Sequence, residues 1–314
     1  MMKRILLALF PFTVVMTAFA DKEIYKDRLL YHCFDETMTA EVRISDYHDT
    51  YEMDVVVPET VEVDGKTYTV TSIGEYAFNY MVHSISLPNT IRSIGKRAFQ
   101  GSNLTSIKLP ESLEVIGESA FYRSKIESVT IPEGVREIGN DAFNGSASLK
   151  SVALPSNLER IGDYAFALCV SLTAIELPAS LKSIGERAFS YSGLTTIVIP
   201  ENVVEIGKSA FKETPITSLT FPKGISEVPA WFAAGTKLTE LVLPAGVRVI
   251  GSGAFSDCSK LASVSLPEGV EVIADNAFYG NKALKTIALP STLKEIGEWA
   301  FPTRDWRPRM ARRK

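Results

Sequence analysis

Cysteine, histidine and excess positive charge are all scarce in this chain, and each scarcity removes a class of function. Its 314 residues hold three cysteines, Cys33, Cys169 and Cys258, and three histidines, His32, His48 and His83, scattered along the sequence with only His32 and Cys33 adjacent. That is too few for a disulfide framework, and no spacing among them suits a metal centre or a histidine-based triad. Acidic residues outnumber basic ones, 37 to 33, for a net charge of −4, which disfavours a nucleic-acid partner. There is no G-x-S-x-G turn, no phosphate loop and no acid pair outside repeated positions, so neither catalysis nor a cofactor is expected. Beyond the first twenty residues no apolar run approaches the roughly 20 residues of a membrane-spanning helix.

A substantial core is present instead: 46 % of the residues are hydrophobic and 22 % charged, the balance of a folded protein. Residues 1–20 combine Lys3 and Arg4 with an apolar stretch from Ile5 and end in Ala18-Phe19-Ala20, the pattern of a cleaved export signal. The expected mature protein starts at Asp21, is exported, and resides at the cell surface or is secreted.

From Ile73 to Ile296 one pattern recurs: I-G-x-x-A-F, a short turn, L-x-x-I-x-L-P, and then the next I-G. The leading Ile or Val stands at 73, 94, 116, 138, 161, 184, 206, 228, 250, 273 and 296, in steps of 21 to 23 residues. So constant a period means stacked coils, numbered 1 to 11 from these positions. The I-x-L portion predicts a short strand, closed by a proline that has no N–H to continue a ladder. Gly follows the leading residue in nine coils and is replaced by Pro229 and Ala274 in the others, which implies either a positive φ or a close backbone approach and, because of the replacements, favours the approach. A Phe is read in every coil, at 78, 99, 121, 143, 166, 189, 211, 232, 255, 278 and 301, forming one internal aromatic column. Three residues on, Ser102, Ser124, Ser146, Cys169, Ser192, Thr214, Cys258 and Asn281 form a small polar column at the turn. This places Cys169 and Cys258 in serine-like structural slots. A further column, Arg92, Glu114, Arg136, Glu159, Lys182, Val204, Ser226, Arg248, Glu271 and Lys294, mostly alternates in charge and is read as a register device. Coil 8 departs from the rule, with Pro229 read in the Gly position and Trp231 in the Ala position.

Residues 21–72 carry alternating strand-like segments and a turn at Val63-Asp64-Gly65, as expected of a β-rich cap over the first coil. Residues 302–314 are basic, with six positive side chains against Asp305, and read as a solvated tail.

The repeated L-P-x-x-L-x-x-I-G-x-x-A-F and L-x-x-I-x-L-P over residues 73–301 resemble the BspA-like class of leucine-rich repeats, found in bacterial and some protist surface proteins. The resemblance implies a leucine-rich repeat solenoid of about eleven coils with a parallel β-sheet on one face. It also implies display outside the cell, adhesion to extracellular-matrix proteins or to other microbes, and no catalytic residues. The expected partner is an extracellular protein or glycan, and the alternative is a self-associating surface scaffold without a specific host ligand. Two surfaces are candidates. The outward strand positions are rich in hydroxyls: Ser106, Lys108, Ser128, Thr130, Thr196, Ser218, Thr220, Ser263 and Ser265. The A-F turn edge carries Tyr122, Tyr164, Tyr191, Trp231 and Tyr279, the kind of anchors that protein interfaces use.

Overall fold

The computed structural model describes residues 21–43, 53–80, 82–301 and 309–310. The expected export signal, His48 and most of the basic tail lie outside them. No helix forms among the described residues. The chain opens with an antiparallel meander of β1 (Lys22–Lys26), β2 (Leu29–Phe34) and β3 (Thr39–Arg43). β4 (Met53–Val56) follows, and then β5 (Thr60–Val63) and β6 (Lys66–Ile73) form a hairpin. Its tip, Asp64-Gly65, has φ of 52° and 76°, the left-handed pair that a two-residue hairpin requires. β3 then pairs in parallel with β6, and Gly74 N–H donates to the Val42 carbonyl. The first coil therefore meets backbone partners rather than an open end.

From Ile73 each coil has three walls. In the strand wall, outward residues alternate with core residues, as in Ser128-Val129-Thr130, where only Val129 is buried. The Ile-Gly wall forms a second parallel ladder, pairing Ser72-Ile73 with Ser93-Ile94 and onward up the stack. It is the longer of the two ladders. The strand wall is paired mainly in twos: 128–130 with 151–153, 196–198 with 218–220, and 240–242 with 263–265. Arg309-Met310 in the basic tail pairs with Ala288-Leu289 as one more rung of that wall.

The Ala-Phe wall is neither helix nor strand. In coils 1 to 10 two residues, three and seven after the leading Ile or Val, are left-handed; Tyr164 and Leu168 are examples, with φ of 57° and 59°. That conformation costs a non-glycine residue roughly 1–2 kcal/mol. It directs alternate N–H groups along the stack: Tyr164, Phe166 and Leu168 donate to the Glu186, Ala188 and Ser190 carbonyls of the next coil at 2.7 to 2.9 Å. The inter-coil bonds offset the local strain.

The glycine after the leading Ile is not among the positive-φ residues. At Gly117 an added Cβ would stand 2.9 Å from Gly95 C and Lys96 N, backbone atoms that cannot move aside. Close approach, not left-handed geometry, is what this position requires.

Inside, the rings of Phe78 to Phe211 stack with centroids 5.1 to 5.6 Å apart and planes within 12° of parallel. Coil 8 corrects the sequence reading. Val228 to Phe232 is four residues where other coils have five, so Phe232 occupies the Ala slot, Ala233 the Phe slot, and Trp231 a left-handed turn position. The backbone bonds show the swap: Phe211 N–H donates to the Phe232 carbonyl and Ala233 N–H to the Ala254 carbonyl. Phe232 still fills the column, but edge-on, at 80° to Phe211 and 79° to Phe255, with Phe221 leaning in from the strand wall. Counted from the slot rather than from the ring, Thr236 joins the small polar column; its hydroxyl donates to the Ala233 carbonyl at 2.9 Å.

Cys169 donates to the Phe143 carbonyl at 3.1 Å and Cys258 to that of Ala233 at 3.2 Å, as Ser146 does to Phe121 at 2.8 Å. Burial pushes the Cys169 thiol up to about 12 and the Cys258 thiol up to about 11. Cys33 is buried too, and its thiol is raised by the same desolvation. All three therefore lack thiolate at neutral pH and lie out of reach. Labelling of the native protein with a thiol reagent is expected to follow the global unfolding rate, and a fast stoichiometric phase in the absence of denaturant would contradict the packing described.

The charged column pairs in part. Arg92 meets Glu114 at 2.7 Å, Glu159 takes both Lys182 and Arg136, and Lys294 meets Glu271 at 2.6 Å. The Lys182 ammonium holds the Glu159 carboxyl below its usual range. Val204 and Ser226 interrupt the column.

Candidate binding surface

Two repeated sets of polar side chains are engaged in bonds between coils, and that separates the candidate surfaces. The Glu-Ser turns are consumed, since Glu133 accepts from Ser156 N–H and Oγ and Glu268 from Ser291 in the same way. The Asx positions are consumed as well: Asn140 Oδ1 accepts from Asp163 N–H, and Asp163 Oδ1 from Glu186 N–H. Thr195 and Thr217, at the start of their strands, donate to the Thr173 and Thr195 carbonyls. By contrast, the side chains of Ser106, Lys108, Ser128, Thr130, Thr196, Ser218, Thr220, Ser263 and Ser265 are exposed, and none forms a hydrogen bond or ion pair within the described residues.

The structure does not bring these nine onto one continuous sheet. Ser106 bridges to Ser128, so Ser106, Lys108, Ser128 and Thr130 share one patch with Ser151 and Ala153. Thr196, Ser218 and Thr220 form a second patch, and Ser263 and Ser265 a third beside Glu240 and Val242. Val198 and Val242, exposed at 67 % and 66 %, complete the outward rows next to Thr220 and Ser265. The period-2 alternation that marked the hydroxyls marks these valines equally. A search image limited to small polar residues passes over them.

The turn-edge aromatics are more heavily committed. Tyr164 is half-buried, carries the Arg187 guanidinium over its ring and accepts from it at 3.1 Å. Arg123 covers Tyr122. Trp231 lies against Gly253 and under Lys212 Nζ at 5.4 Å from the ring centre, and Tyr279 meets Trp299 edge-on at 6.3 Å. Tyr191 remains 48 % exposed. Tyr164, Trp231 and Tyr279 thus lie against a neighbouring coil, Tyr122 lies under an arginine of its own coil, and the five do not form one uninterrupted row. Among the described residues no group of three or more His, Cys, Asp and Glu side chains could hold a metal ion, and no helix is long and apolar enough to cross a membrane.

Two parallel ladders, an internal Phe column and a 21-to-23-residue period define the class, a leucine-rich repeat β-solenoid. The profile of the BspA type leucine-rich repeat region matches residues 65–143, 114–233 and 230–305, in six copies, and the chain belongs to that family. Among solved structures it is similar to the pneumococcal vaccine antigen PcpA, at 25 % identity and a TM-score of 0.65, over 89 % of this chain and 78 % of that one. A leucine-rich repeat protein of Eubacterium ventriosum aligns at 22 % identity and a TM-score of 0.55, over 90 % and 95 % of the two chains. One from Bacteroides ovatus aligns at 28 % identity and a TM-score of 0.48, over 92 % of this chain and 100 % of that one. No curated protein matches the sequence.

Proposed function

We propose that this protein is an exported surface or secreted binding protein that recognises an extracellular protein or glycan through its strand wall. The observation that carries this reading is the contrast in duty. The Glu-Ser turns and the Asx positions are engaged in inter-coil bonds, while the outward strand hydroxyls are exposed and form none. Outward hydroxyls in most coils, with Val198 and Val242 beside them, offer hydrogen bonds together with apolar contact, a combination that binding surfaces use. Membership of a family of surface repeat proteins and the likeness to a vaccine antigen support exposure outside the cell.

Purified residues 21–314 are expected to bind saturably to one class on an array of extracellular-matrix proteins and glycans. Thr196→Arg combined with Thr220→Arg should weaken that binding by about tenfold or more, the cost of blocking one well-packed contact centre, with the melting temperature unchanged. Undiminished binding by this variant, with loss on Tyr191→Ala, would move the site to the turn edge. Silence across the array with concentration-dependent self-association would instead favour the scaffold, built through the unpaired strand-wall edges.

A further inference from the structure

We propose that the junction between coils 7 and 8 is a joint about which the two parts of the solenoid, coils 1–7 and coils 8–11, can bend. The Ile-Gly ladder ends at Glu205–Ile206 and a separate sheet begins at Glu227–Val228. Elsewhere each junction of this wall typically carries three bonds. At the junction before, Val204 and Glu205 donate to the Lys182 carbonyl and Gly207 to that of Ile184; at the junction after, Arg248 and Val249 donate to Ser226 and Gly251 to Val228. Between 204–206 and 226–229 there is none.

One of the three missing bonds has a chemical cause, while Ser226 and Glu227 keep their N–H groups and still find no acceptor in coil 7. The residue after the leading apolar position is the donor to the preceding coil, and Pro229 has no N–H. Ala274 occupies the equivalent slot in coil 10 and donates to Ile250 at 2.9 Å. A Cβ there is therefore tolerated, and the missing proton is what separates the two cases.

Other junctions lose one wall and keep another. Between coils 3 and 4 the Ile-Gly wall keeps only the Ile116–Ile138 pair, but the strand wall is fully paired over 128–130 and 151–153. At coils 7 and 8 the strand wall is open as well. Strands 218–220 and 240–242 do not pair, and one bond, Lys237 N–H to the Ile216 carbonyl at 2.9 Å, remains at their start. The charged column contributes nothing here, because it presents Val204, 78 % exposed, against Ser226. At the neighbouring corner the Lys223 backbone N–H donates to the Glu201 carboxylate at 2.8 Å, and the Lys223–Glu201 ion pair at 3.7 Å, both side chains largely in solvent, adds little.

What holds the two coils is the Ala-Phe wall: Ser209, Phe211 and Glu213 donate to the Ala230, Phe232 and Ala234 carbonyls at 2.7 to 3.0 Å. With one wall fully bonded and the rest of the junction reduced to the Lys237 and Lys223 N–H bonds, the bonded wall is the line about which the coils rotate. The Phe column changes from stacked to edge-on at this same place, between Phe211 and Phe232.

Two measurements on the whole chain test the joint. In hydrogen exchange, the amides of Ser226 and Glu227 are expected to exchange about tenfold or more faster than those of Arg248 and Val249, as the loss of even one or two net hydrogen bonds implies. Spin labels on cysteines at Ser151 and Ser263 span the joint over five coils, while labels at Ser106 and Ser218 span five coils on one side of it. The first pair should give a distance distribution about twofold broader than the second, as a hinge allows and a rigid stack does not. Pro229→Ala should narrow it. Equal exchange rates and equal widths in the otherwise unsubstituted protein would overturn the joint; an unchanged width in the Pro229→Ala protein would overturn the role of Pro229.

Discussion

Phe166→Ala is expected to destabilise the protein by about 3–5 kcal/mol. The ring is fully buried and lies between Phe143 and Phe189 at 5.4 and 5.5 Å, within 3° and 9° of parallel. Truncation removes both stacking faces and opens a cavity in the middle of a one-dimensional stack, where no other element can move in. Coil 8 shows what compensation needs. Ala233 stands in the Phe slot there, but Phe232 enters from the adjacent slot and Phe221 from the strand wall. In coil 5 the adjacent residue is Ala165, so nothing refills the space. Denaturant unfolding measures the loss, and a variant combining Ala165→Phe with Phe166→Ala should recover part of it by copying coil 8. An unchanged unfolding midpoint for Phe166→Ala would mean that the Phe column is not the core.

The second large effect is expected at Asn281. Its side-chain amide donates to both the Phe255 and Phe278 carbonyls at 2.9 Å, in a fully buried position. Asn281→Leu keeps the volume and removes the unpartnered Oδ1, but leaves two buried carbonyls without that donor, at a net cost of about 1–3 kcal/mol. Asn281→Ser should cost less, because Ser146 shows that a serine in this slot reaches the preceding coil's Phe carbonyl at 2.8 Å. Equal stability of the Leu and Ser variants in thermal unfolding would show that the polar column is incidental. The two effects are separable: one tests the apolar filling of the coil, the other the satisfaction of its turn.

Much of this was legible before any coordinates. Isoleucines at a 21-to-23-residue spacing admit stacked coils and little else, because each coil alone cannot bury its own apolar edge. The prolines marked the strand ends, and the Gly-to-Ala274 replacement pointed to close approach. Cys169 and Cys258 were placed as serine equivalents by spacing alone. Coil 8 is disguised in the sequence, because its Phe232 stands four residues from Val228 where the Phe of other coils stands five from the leading residue. A one-residue shift then moved Trp231 into the wrong slot and hid Thr236.

The sequence by itself determined the period, the solenoid, the identity of the core columns and the outward hydroxyl rows, since each follows from which side chains recur at fixed spacing and must meet their copies. Only the tertiary structure decided how the backbone bonds are shared among three walls: two ladders rather than one, a left-handed Ala-Phe wall with its N–H groups aimed along the stack, and a junction at coils 7 and 8 bonded mainly on one wall. Those features depend on whether donor and acceptor in successive coils meet at about 2.9 Å. Side-chain pattern constrains that geometry without fixing it.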